Sequence, residues 1–155
     1  MKISLSGLIP EKDKRELLKA AKFAAKELKI SKSKETVFIT VSLYGSTDGT
    51  CERLGPNKLQ IWLNKTLNSE KRLLFLFHEF CHLEQFVSNK LIIAGGRGFY
   101  KGIEYTSVKY CEREHEKEAY RKQEVLFSKF KKDSGAASRG NPIGSRGNSR
   151  RTTGS

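Results

Sequence analysis

The stretch His78-Glu79-Phe80-Cys81-His82 combines residue types that hold a metal ion and move a proton. Histidines four residues apart on a helix lie one turn apart on the same face, so both imidazoles can reach one ion. Glu79 is turned by about 100° from His78 around such a helix. From there its carboxylate reaches a water activated by the ion rather than the ion itself. It is a base able to take that water's proton and pass it to a leaving amine. Apolar residues such as Leu73, Phe77, Leu83 and Phe86 surround the axis of this helix, which marks it as the middle of a domain. Burying two imidazoles and a carboxylate there without partners is costly, and a metal ion removes that cost.

A catalytic zinc site takes three protein ligands and keeps a fourth position open. The HExxHxxGxxH solution is absent, because Gln85 and Ser88 stand where its Gly and His would be. The other solution is a carboxylate from a second helix. Residues 111–131 read as that helix, with Glu116 three residues before Ala119. In this geometry the Glu faces the ion, and the small Ala one turn later lets the two helices approach. Glu112 is a rival one turn earlier on the same face, and His115 would make an all-histidine site. Glu114 and Glu118 point elsewhere and suit helical pairs with Lys117 and Lys122. Cys81 reads as core packing.

The elements that must position these residues follow from patterning. Pro10 opens a helix whose Leu17, Leu18, Ala21, Ala24, Ala25 and Leu28 recur at helical spacing. Thr36 to Tyr44 is rich in β-branched and aromatic residues and reads as a strand. Gly45 to Gly49 is a loop, and Gly55-Pro56-Asn57 is a second break. Lys58 to Asn64 alternates, with Leu59, Ile61 and Leu63 on one face, and reads as a strand with one buried face at a sheet edge. Asn68 or Ser69 caps the central helix, which runs to about Val87. A Gly- and Tyr-rich irregular crossover (94–110) leads to the last helix. Its Tyr100, Tyr105 and Tyr110 are candidates to line a cleft and stabilise an oxyanion, and Trp62 is a candidate substrate contact. This order is an α+β arrangement in one domain over residues 1–133. Residues 134–155 hold five Gly, five Ser and four Arg with no acid, and read as a disordered basic tail.

The segment HEFCHLEQF, the Tyr/Gly stretch and REHEKEAY together resemble the compact zincin-like metallopeptidases encoded by phages and bacteria, which share an HExxH helix and a later ExEA helix with the gluzincins. The resemblance covers roughly residues 59–123. It implies a zincin-like fold with an N-terminal helix, a small mixed or antiparallel sheet, the HExxH helix and a C-terminal helix. It also implies zinc held by His78, His82 and Glu116, Glu79 as the catalytic base, and an edge strand that binds extended substrate, for which Lys58 to Asn64 is the candidate. One departure is Tyr120, which stands where gluzincins often carry an Asp that orients a ligand histidine; the residues that orient the ligands are left unassigned. The HExCH form is also similar to SprT-like proteases, whose third ligand is a loop histidine, but Arg97 stands where that histidine would be wanted.

Composition bounds the remainder. The chain has 155 residues, 37% apolar and 30% charged, enough for one domain. No apolar run reaches the ~18 residues that cross a bilayer. Residues 1–5 lack the pattern of a secretory signal, and three cysteines are too few for a disulfide scaffold, so a cytoplasmic, reduced chain is expected. The net charge of +13 favours loose association with polyanions. The lysines of the first 35 residues look scattered among helical positions, so they read as a solvated surface making weak nucleic-acid contact together with the tail. The leading expectation is a zinc metallopeptidase acting on peptide or protein. The alternatives are an SprT-like protease recruited to DNA and a non-catalytic basic nucleic-acid-binding module with a structural metal.

Overall fold

The computed structural model describes residues 1–43 and 47–139, the last four of these by backbone alone. The elements are β1 (Lys2–Gly7), α1 (Glu11–Glu27), β2 (Thr36–Ser42), β3 (Gly49–Gly55), β4 (Lys58–Asn64), α2 (Ser69–Val87), β5 (Leu91–Ala94), β6 (Arg97–Tyr100), β7 (Ile103–Glu104) and α3 (Glu114–Arg139). A single 3-10 turn, Tyr110–Glu112, precedes α3. This is an α+β domain.

The main sheet has the order β1-β2-β4-β3, with β1, β2 and β4 parallel and β3 antiparallel to β4. Alternation places Val37, Ile39 and Val41 of β2 and Leu59, Ile61 and Leu63 of β4 on one face, all fully buried under α1 and α2. The opposite face carries Thr40, Gln60 and Trp62. β4 is therefore an interior strand, which corrects the expected sheet edge. Period-2 patterning reports which face is buried and says nothing about whether both edges find hydrogen-bonding partners. The two edges belong to β1 and β3. β1 has no counterpart in the sequence reading, although its Ile3 and Leu5 alternate with polar residues.

α2 crosses beneath the sheet. Asn68 caps it by accepting from the Lys71 amide at 2.9 Å. At its far end Asn89 takes a left-handed conformation and the Lys90 amide returns to the Gln85 carbonyl, a common helix stop. Phe77 is sealed between Phe23 of α1 and Phe130 of α3, with ring centroids 6.1 and 5.6 Å away. Buried Arg72 bonds the Lys65 and Leu67 carbonyls and reaches Asp13 of α1.

The stretch expected to be irregular, 94–110, contains β6 and β7, which join β5 in a small antiparallel sheet. These strands are too short for periodicity to register. α3 continues to Arg139, so residues 134–139 of the expected tail are helical. Residues 140–155, and Tyr44 at the end of the expected strand, lie outside the described residues. Among the described residues no helix is long and apolar enough to cross a membrane.

Candidate metal centre

α2 and α3 lie side by side, and the site forms where they touch. On α3 the residues 116, 119, 123, 126 and 130 repeat at three- and four-residue steps and are all buried. Ala119 is fully buried there, and the missing bulk brings the first turn of α3 onto the HExxH segment. The Gln85 side-chain amide locks that approach by donating to the His115 carbonyl at 2.9 Å.

His78, His82 and Glu116 converge, with one ligand atom from each within 4.8 Å of the others, and all three are buried. The two Nε2 atoms are 3.1 Å apart, and each is 3.2 Å from Glu116 Oε2. Both Nδ1 atoms face the carbonyl oxygen of a glutamine: Gln123 Oε1 at 2.8 Å from His78, and Gln85 Oε1 at 2.9 Å from His82. A carbonyl oxygen only accepts, so each Nδ1 carries a hydrogen, which leaves Nε2 as the atom of each ring that can turn a lone pair inward to an ion. Two lone pairs and a carboxylate oxygen then meet at one point. Such a set calls for positive charge between its members, and its donors suit a divalent transition metal.

The electrostatics express the same demand. Burial alone would lower the His82 pKa, but the bond to Glu116 and the nearby Glu79 raise it. Burial works against ionising Glu116, yet Nε2–H bonds from His115, His78 and His82, which form when a proton rather than an ion sits between these groups, hold its carboxyl far below the usual carboxylate range. Tyr110 donates to Glu116 Oε2 at 2.7 Å, and burial followed by that bond pushes its hydroxyl pKa up.

Glu79 lies beside this group in a cleft of about 430 Å³ lined on one side by Asp48, Gly49, Thr50 and Cys51, and on the other by Tyr110, Glu116 and Tyr120. Burial pushes its carboxyl up to about 7, against the pull of His82 and His78. Gly49 of the edge strand makes room for it: a Cβ there would stand 3.0 Å from Glu79 Oε1.

The remaining expected residues sit elsewhere. Glu112 belongs to the exposed 3-10 turn before α3 and is no part of the converging group. His115 backs the site instead, with its Nε2 3.4 Å from Glu116 Oε1. Tyr105 stacks on His115 with ring centroids 4.2 Å apart, an approach that a side chain at Gly98 would block. Tyr100 donates to Glu118, and the Trp62 indole donates to Glu52 at 3.3 Å. Trp62, Tyr100 and Tyr105 are not among the residues that line this cleft, whereas Tyr110 is. Cys81 is buried in the core. The orienting glutamines went unassigned in the sequence. Gln85 was visible three residues after His82, at a helical spacing that lets it reach back, whereas Gln123 carries no local signal. Tyr120 packs on His78 with centroids 4.5 Å apart.

Comparison with models of known protein families, with curated proteins and with solved structures finds no match to this chain. What its own residues define is an α+β domain holding two imidazoles and one carboxylate in an arrangement that could bind a metal ion.

Proposed function

We propose that the chain is a zinc-dependent metallopeptidase of zincin-like architecture, with His78, His82 and Glu116 holding the metal and Glu79 as general base. The observation that carries this reading is the convergence of two inward-facing Nε2 atoms and the Glu116 carboxylate at the wall of an open cleft. Structural zinc sites are closed by four protein ligands, whereas three ligands beside a cleft suit catalysis. Zinc bound there supplies a Lewis acid that polarises a carbonyl and makes water nucleophilic near neutral pH.

The chain's own groups do the rest. Glu79, with its carboxyl near 7, is poised to take a proton from the attacking water. It then returns that proton to the amine nitrogen as the C–N bond breaks. Tyr110, at the cleft wall, is the proposed oxyanion donor, and its hydroxyl hydrogen, which lies on Glu116 Oε2, would turn to the substrate. Strand addition to the sheet edge remains part of the reading, but the strand that offers it is β3, whose Gly49, Thr50 and Cys51 also line the cleft. A peptide or protein is thus the proposed substrate. Three free cysteines suit a reducing compartment, and the cytoplasm is the one we propose.

Glu79→Gln tests this reading. It keeps the size and hydrogen bonding of the side chain but cannot accept the proton, so zinc content should persist while cleavage of a fluorogenic peptide library falls by about 100-fold or more. Equal cleavage by the variant would return the helix to a structural role.

A further inference from the structure

α1 carries Lys12, Arg15, Lys19, Lys22 and Lys26 at steps of three and four residues, and all five are exposed. At 100° per residue they fall within about 80° of arc, in a row about 21 Å long. The row lies opposite the buried Leu17, Ala20, Ala21 and Ala24. Residues that look scattered in the sequence are therefore one stripe in the fold. Acids stand only at its margins, and several are already engaged: Glu11 with Lys14, Asp13 with Arg72 and Glu27 with Lys129. Among the described residues none of Lys12, Arg15, Lys22 and Lys26 joins an ion pair, while Lys19 lies over the Phe130 ring. Like charges four apart, as in Arg15–Lys19 and Lys22–Lys26, disfavour the bare helix, and an anionic partner relieves them.

The surroundings select among anions. A membrane-surface helix needs apolar residues to insert, and the apolar face of α1 is spent on the core. Single strands are held by exposed aromatic platforms, and Phe23, beside the arc, is packed against Phe77 and Phe130 instead. A straight, polar row of cations suits the phosphates of a duplex. Phe130 and Ser134 of α3 lie beside Lys12, Arg15 and Lys19 and add no acid there. No α1 residue lines the cleft at the metal centre.

We propose that the outer face of α1 docks double-stranded nucleic acid through its phosphates, without reading sequence. The proposal is independent of the metallopeptidase reading, because binding is measured without turnover. The probe is a fluorescein-labelled 20-base-pair DNA duplex of mixed sequence, followed by anisotropy in 50 to 200 mM KCl. Five phosphate contacts predict a log–log slope near −4.5, about a 500-fold loss of affinity over that range. Replacing Lys12, Arg15, Lys22 and Lys26 by Gln should make the slope shallower by about 3.6. The melting temperature should stay level or rise as the like-charge pairs disappear. A second variant with Gln at the exposed Lys58, Lys101, Lys109 and Lys117 loses the same charge and should keep the parent slope. Absence of duplex binding at 50 mM KCl, or equal slopes in the two variants, would overturn the proposal. So would stripe-dependent binding of vesicles containing phosphatidylserine, or of polyglutamate, as tight as that of the duplex.

Discussion

Gln123→Ala removes the acceptor that faces His78 Nδ1 at 2.8 Å, in a residue only 5% exposed. Two separable losses follow. The His78 Nδ1–H is left buried without an acceptor, which costs about 1–3 kcal/mol of stability. The imidazole is also freed to carry its hydrogen on Nε2, the atom that faces His82 and Glu116. Loss of such an orienting partner typically lowers metal affinity by about 10–100-fold. That factor corresponds to about 1.4–2.7 kcal/mol. The first loss appears in urea denaturation of the metal-free chain, and the second in competition for zinc with a chromophoric chelator. Gln123→Glu retains an acceptor at the same place and should keep zinc binding where Ala does not. Zinc affinity in Gln123→Ala equal to that of the parent would refute the argument that this amide sets the His78 tautomer.

Two further outcomes follow from packing. Gly49→Ala places a Cβ 3.0 Å from Glu79 Oε1 and 3.3 Å from the Trp62 carbonyl, so the Glu79 carboxylate must shift. On the proposed metallopeptidase reading, zinc content should hold while kcat/KM for peptide cleavage falls by about tenfold or more, and full activity would contradict the tight fit. Phe77→Ala empties the fully buried space between α1, α2 and α3 and should cost about 3–5 kcal/mol in urea denaturation. A loss below about 1 kcal/mol would mean that the three helices close over the space.

The HExxH helix was legible because helical spacing alone puts His78 and His82 on one face and because Asn68 supplies a local cap. Glu116 was legible through Ala119, whose small size at the contact is itself a packing signal. Local patterning could not choose between Glu112 and Glu116, since both share a face if α3 is extended backwards. The 3-10 turn that ends at Glu112 breaks that extension and takes Glu112 out of reach. Gln123 was invisible because its partner, His78, is 45 residues away and nothing in its neighbours marks it. The misplacement of β4 arose because the open face of an interior strand carries the same alternation as an edge strand. The basic row on α1 was present in the spacing of 12, 15, 19, 22 and 26, but it becomes a surface only once the opposite face is seen to be buried. Tyr100 and Tyr105 of the crossover turn towards Glu118 and His115, partners that only the α3 packing brings near.

The claim that His78, His82 and Glu116 form one metal centre is tested most directly by zinc stoichiometry after equilibrium dialysis against buffered zinc. The parent chain should retain one zinc per chain. Glu112→Ala should match it, because Glu112 lies outside the converging group, while Glu116→Ala should retain far less than one. Zinc kept in full by Glu116→Ala, or lost from Glu112→Ala, would contradict the account and move the third ligand off the residue on which it rests.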